Sequence, residues 1–236
     1  MPRTENPKTQ GYDETNVAIE NVLRDHFVRL TLVMKVNGNV LVAPQVANAV
    51  AISGNIFLTP QHYYLRFKQL LEHGEYDEAH YKMYLPNGST MSFEIDQVNW
   101  HIPSDIDTAY FSIKEMSAFR DITHYFIRDG DPIGVQRGYL YGIRSSVVNG
   151  LDDLKVSLLA VSNIQKEDVY YDSGEARNMC DGSILENLEF DGIDHFVYNT
   201  NLTIQGDCGM LLMSAGQTVG SILGNRQLSR NVYYRN

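Results

Sequence analysis

Cysteine is scarce in this chain: Cys180 and Cys208 are the only two in 236 residues. Two cysteines exclude a disulfide scaffold and point to a reducing compartment. No paired Cys-x-x-Cys spacing occurs, so a zinc ribbon is excluded, and no metal or other cofactor is expected. Positive charge is also short. There are 19 Lys and Arg against 29 Asp and Glu, a formal net charge of -10. That balance argues against non-specific nucleic-acid binding as the main task, although it leaves room for one local basic face. No apolar run approaches the length of a membrane span, so no membrane partner is expected. Met1 to Thr15 is polar and lacks the apolar core of a signal peptide. Low-complexity tracts and internal repeats are missing too.

What remains is an ordinary globular composition with 43% hydrophobic residues, long enough for one large domain or two small ones. Residues 14–25 carry Val17, Ile19, Val22 and Leu23 at helical spacing. After them the pattern turns to short strands. Phe27 to Val36 runs into Asn37-Gly38, a strong hairpin signal. Val40 to Val42, Ile56 to Thr59, Tyr81 to Leu85, Met91 to Ile95 and Ala109 to Ile113 are further strands. Tyr64 to His73 reads as a short helix, and Pro86-Asn87-Gly88 as a turn. A second set of strands is expected over 138–224, with turns at Asn149-Gly150, Ser173-Gly174 and Ala215-Gly216. Many short strands with regular turns point to an all-β barrel or pair of barrels. Arg128-Asp129-Gly130-Asp131-Pro132 is the expected connection, dividing 11–127 from 128–236.

Gly206-Asp207-Cys208-Gly209 follows the strand-like Phe196-Val197-Tyr198-Asn199 and precedes the apolar Met210-Leu211-Leu212-Met213. A tight turn between two strands presents a thiol beside free backbone N–H groups, the layout of a nucleophile with its own oxyanion hole. The alternative is a structural turn around a buried cysteine. A cysteine nucleophile needs a nearby imidazole, because a free thiol titrates near ~8.5. Among seven histidines, His62 stands out, just past Ile56-Phe57-Leu58-Thr59-Pro60, where proline ends a buried strand. The orienting acid should sit at the lip of a neighbouring strand. Asp105 and Asp107 both precede Ala109-Tyr110-Phe111-Ser112-Ile113.

These segments, in the order His, Asp, Cys, resemble the picornains, the picornaviral 3C-type chymotrypsin-like cysteine proteases. The likeness is carried by the N-terminal helix, by Leu58-Thr59-Pro60-Gln61-His62, by Tyr198-Asn199 ahead of Thr203, and by the Gly-x-Cys-Gly turn. Phe119-Arg120-Asp121-Ile122 matches the family's RNA-binding core, and its position twelve residues after Asp107 favours Asp107 over Asp105. The resemblance spans roughly 11–224. It implies a chymotrypsin-like double β-barrel preceded by a helix, with His62 and Asp107 on the first barrel and Cys208 on the second. It implies a cysteine endopeptidase that processes a viral polyprotein, and host proteins as further substrates, in the host cell cytoplasm. His62 would be general base and acid, Asp107 its orienting partner, and Cys208 the nucleophile that forms a thioester. The N–H groups of Gly206, Asp207 and Cys208 would form the oxyanion hole. Tyr198, Thr203, Gly220 and Ile222 would line the substrate pocket, with the peptide bound as an added strand. Cys180 would take no part.

The chain departs from the family at Ile222, which occupies the position of the histidine that reads glutamine before the scissile bond. Isoleucine donates no hydrogen bond, so a more apolar pocket is expected, or a donor from elsewhere; His195 is a remote second choice. Thr9-Gln10-Gly11 nevertheless has the form of a Gln/Gly junction. The lysine usual before the RNA-binding core is Ala118 here, so viral RNA is a weaker expected partner. The competing function is an RNA-binding or scaffolding module on the same fold with weak or no proteolysis.

Overall fold

Alternation organises the first half of the chain. In β1 (Phe27–Val36), Val28, Leu30, Leu32 and Met34 point to one core, one residue in two. The computed structural model describes residues 21–103, 107–126, 137–148, 151–172, 176–200, 202, 207–214 and 217–221. Strand β1 leads through Asn37 and Gly38 into β2 (Asn39–Ser53). Both turn residues have positive φ, 49° and 77°, as a two-residue hairpin of matching twist requires. Then come β3 (Ile56–Thr59), helix α1 (Gln61–His73), β4 (Glu78–Tyr84), β5 (Thr90–Glu94), β6 (Val98–His101) and β7 (Ala109–Ile113). Strands β3 and β7 have the bounds that the sequence pattern predicts.

These seven strands form one antiparallel sheet in the order β5-β4-β1-β2-β3-β7-β6. Leu30, Ala49, Phe57, Tyr81, Phe93, Val98 and Phe111, one from each strand, share a single buried cluster, so the sheet curls around its core. No ladder among the described residues joins β5 to β6, and the curl stays partly open. Helix α1 adds Tyr63, Phe67 and Leu70 to the same cluster.

The second half holds β8 (Arg137–Val148), β9 (Leu151–Asp172), a small ribbon of β10 (Ala176–Arg177) and β11 (Ile184–Leu185), then β12 (Glu189–Asn199), β13 (Leu211–Ser214) and β14 (Gln217–Ser221). Their main sheet has the order β12-β9-β8-β13-β14. It is antiparallel throughout, with the turn that carries Cys208 feeding β13. Strand β9 is 22 residues long, where the sequence pattern reads shorter pieces. Asn163, with φ of 51°, follows the end of the β8 ladder at Ser162 and lies at the irregularity in the β12 ladder between Ser162 and Gln165.

A second cluster joins the two sheets. Leu23, Phe27, Val50 and Ile122 meet Tyr141, Ile143, Leu211 and Met213, and the Phe27 ring lies edge-on to Tyr141 at 5.4 Å. Fully burying side chains of this size stabilises by about 1.5–3 kcal/mol each. The N-terminal helix is described from residue 21, and Leu23 is its contribution to the junction. Strand β2 has two jobs. Ala47, Ala49 and Ala51 face the first core, while Asn48 and Val50 face the second sheet. Val17, Ile19, Gln10-Gly11, the 128–132 connection and the turns at 149–150, 173–174 and 215–216 lie outside the described residues. Among the described residues no helix is long and apolar enough to cross a membrane.

Candidate active site

Proline at 60 ends β3 and presets the backbone (φ -60°) for the helix that follows. The sequence reading puts His62 in a loop and starts the helix at Tyr64. Instead α1 begins at Gln61, and His62 lies in its first turn. Pro60 supplies no side-chain cap, so the early N–H groups of the helix need a partner from elsewhere. Asp107, fully buried before β7, supplies it. Its Oδ1 accepts the His62 backbone N–H at 2.8 Å, and its Oδ2 stands 2.7 Å from His62 Nδ1. A carboxylate only accepts, so Nδ1 carries the proton and Nε2 is the ring nitrogen left for chemistry.

The Cys208 side chain is the other group that acts on the ring, favouring its protonated form. Burial pulls the His62 pKa down, but the Asp107 charge and hydrogen bond, together with Cys208, outweigh it and push the value up to about 10. The imidazole is thus biased toward its protonated form. The structure brings His62, Asp107 and Cys208 together; Asp105 lies outside the described residues.

Cys208 stands in a tight turn closed by Met210 N–H to Asp207 C=O at 3.2 Å. Gly209 has φ 89°, and a Cβ there would come within 2.5 Å of the Asn48 carbonyl oxygen, so only glycine fits. Asn48 Nδ2 donates to the Cys208 carbonyl at 2.8 Å, and Thr59 Oγ1 donates to the Asn48 carbonyl at 2.8 Å. The nucleophile turn of one sheet is therefore fastened to β2 of the other. Tyr63 makes a longer contact of 3.5 Å from its hydroxyl to the same Cys208 carbonyl. Its phenol pKa is raised well above the ordinary value by burial first and then by Cys208.

Asp207 is buried, and its carboxylate is paired by the Arg144 guanidinium from β8. Asn48, Tyr63 and Arg144 escape the sequence reading. Only the polarity of Asn48 in an apolar strand, and of Arg144 beside Tyr141 to Ile143, marks them out. Tyr198 is half-buried against a third cluster, made by Leu140, Leu159, Val161, Ile164, Met210 and Leu212, and burial, then Cys208 and Asp207, raise its phenol pKa. Gly220 pairs with Leu212, one strand from the nucleophile turn. Gly206, Thr203 and Ile222 lie outside the described residues, as does the His195 side chain, although His195 itself pairs with Glu167 between β12 and β9. Cys180 packs at the edge of the first core beside Gly74, at the opposite end of α1 from His62.

The segment Phe119-Arg120-Asp121-Ile122 divides into two kinds of residue. Phe119 bridges Gly54 through two backbone hydrogen bonds of 2.7 and 3.1 Å and stacks edge-on against Phe57. Ile122 is fully buried at the inter-sheet junction. Arg120 and Asp121 are exposed, and Asp121 Oδ1 caps the following turn by accepting from Thr123 N–H at 2.8 Å. Half of the motif is thus core.

No protein-family model and no curated protein matches the chain. Solved structures do. The crystal structure of Deg5 overlays with a TM-score of 0.53 at 14% identity, covering 88% of this chain and 83% of that one. Catalytically active tobacco etch virus protease complexed with product gives 0.51 at 12% identity, covering 99% and 81%. The chain shares its fold with these two structures; its first sheet curls into a partly open half-barrel, and among the described residues the second sheet does not close into the second barrel that the sequence resemblance implies. Tobacco vein mottling virus protease overlays at 0.48 and 10% identity over 98% of this chain and 84% of its own. At their identities the first two overlays show a shared fold alone, and they do not single out the picornains. Among the described residues no group of three or more His, Cys, Asp or Glu is arranged to hold a metal ion.

Proposed function

We propose that the protein is a cysteine endopeptidase working through His62, Asp107 and Cys208. The single observation that supports this reading is the His62 ring held through Nδ1 by the buried Asp107 carboxylate, with Cys208 contributing to the raised pKa of the ring. In this reading Cys208 Sγ attacks the scissile carbonyl carbon while the Asp207 and Cys208 N–H groups, with Gly206, stabilise the oxyanion. The C–N bond breaks, the imidazolium of His62 gives its proton to the leaving amine, and an acyl thioester remains. Water then attacks the thioester, His62 takes its proton, and the carboxylic acid and Cys208 are released. Asp107 keeps Nδ1 as donor throughout.

The finer reading extends to a picornain-type enzyme of a picorna-like virus, built as two barrels over 11–127 and 128–236 with the site in the cleft. Its substrates would be viral polyprotein and host proteins in the host cytoplasm. Tyr198, Thr203, Gly220 and Ile222 would line the substrate pocket, which Ile222 makes apolar. The Phe-Arg-Asp-Ile segment supports a second role in RNA binding only through its exposed Arg120. The test is cleavage of a peptide library by wild type and Cys208→Ala. Cleavage by wild type alone is expected. Equal cleavage by both would remove Cys208 as nucleophile, and cleavage by neither would favour the binding module.

A further inference from the structure

Strand β8 pairs with β13 only as far as Tyr141 and then runs on, so Arg144 overhangs the turn that carries Cys208. Its guanidinium makes three charge-assisted contacts. Nε donates to Asp207 Oδ1 at 2.7 Å, Nη2 to Asp207 Oδ2, and Nη2 again to the Leu202 carbonyl at 2.7 Å. One planar fork thus ties the residue before the nucleophile to the segment before Thr203. Asp207 is buried, so its charge is poorly screened by water. Unpaired, that carboxylate would repel an oxyanion forming beside it. It would also leave the peptide units around residue 207 free to rotate their N–H groups away.

We propose that Arg144 is a positioning residue for acyl transfer: its fork on Asp207 neutralises the carboxylate next to the oxyanion site and holds the donors of the 207–208 turn in their productive direction, while its bond to Leu202 fixes the neighbouring wall. This rests on the protease reading above. The role differs from that of His62, which activates the thiol. Arg144 serves the oxygen, not the sulfur.

Two reactions of the same cysteine separate these roles. Alkylation of Cys208 by iodoacetamide needs the activated thiol but places no charge on an oxyanion; peptide hydrolysis needs both. Arg144→Lys keeps the charge and loses the fork. Its kcat for a cleaved peptide should fall on the order of a hundredfold, the typical effect of one lost oxyanion donor. Its KM and its Cys208 alkylation rate should stay within about threefold of wild type, as expected for an interaction made only in the transition state. Asp207→Asn, which keeps acceptor oxygen but drops the charge, is the second variant if the first fails to fold, and it should show the same split. Undiminished turnover in the folded variants overturns the proposal. So does a parallel loss of alkylation and turnover, which would mean a merely structural role. A wild type that alkylates at Cys208 but cleaves no peptide overturns the protease reading itself, and this proposal with it.

Discussion

The Asp107 carboxylate holds His62 at two points, Oδ1 on the backbone N–H at 2.8 Å and Oδ2 near Nδ1 at 2.7 Å. One side chain therefore caps a helix and orients an imidazole. The two effects can be separated by substitution. Asp107→Asn keeps an acceptor oxygen for the backbone but can present an NH₂ to the ring, so the tautomer is lost. Activity should fall by about four orders of magnitude, as for the equivalent change in a serine triad, with thermal stability nearly kept. Asp107→Ala should lose the activity and, with the cap, about 1 kcal/mol of stability as well. Steady-state kinetics with thermal melts check both. Asp105→Ala losing more activity than Asp107→Ala would exchange the two acids.

The charge state of His62 makes stability depend on pH. Its pKa is raised from about 6.5 to about 10 on folding, by Asp107 and Cys208 against the opposing effect of burial. The folded chain thus holds this proton more tightly than the unfolded chain. The contribution is complete below about pH 6.5 and is lost as pH rises toward about 10. Melting temperatures measured across that window should fall in wild type and fall less in His62→Gln. Parallel curves for the two proteins would contradict the assignment.

Gly209 and Asn48 are packed backbone to backbone, so their substitution should be unequal. Gly209→Ala puts a methyl group 2.5 Å from the Asn48 carbonyl oxygen at φ 89°. Backbone strain of that kind costs about 1–3 kcal/mol, before any displacement of the Cys208 turn. Asn48→Ala removes the 2.8 Å bond to the Cys208 carbonyl and leaves a buried acceptor, roughly 1–3 kcal/mol. Urea midpoints should show both losses, and Gly209→Ala should also be inactive. An active, stable Gly209→Ala would mean that the turn is not held as described.

Substrate choice offers a test on Ile222. Ile222→His should shift the preference before the scissile bond toward glutamine, since a donor replaces an aliphatic group. Library profiles of the two proteins check this, and an unchanged profile would remove Ile222 from the pocket. Cys180→Ser should leave turnover unaltered, because Cys180 packs beside Gly74 at the far end of α1 from His62.

Local signals in the sequence carry much of this. The alternation of Ala109, Phe111 and Ile113 and the apolar run from Ile56 to Thr59 are properties of single strands, and Asn37-Gly38 is a two-residue turn. Such features need no knowledge of distant residues. The helix start at Gln61 is different, because its cap comes from Asp107, 45 residues away. Asn48 meets Cys208 across 160 residues and Arg144 meets Asp207 across 63, so no window of sequence contains either pair. In the motif at 119–122, Phe119 and Ile122 are explained by packing, which a motif match alone does not separate from recognition.

The most direct measurement is the mass of the enzyme quenched in acid during turnover of an activated ester substrate. The account predicts one acyl group, mapped by peptide mass to Cys208, and no adduct on Cys208→Ala. Turnover with no acyl group on Cys208, or an acyl group on Cys180 instead, would contradict it.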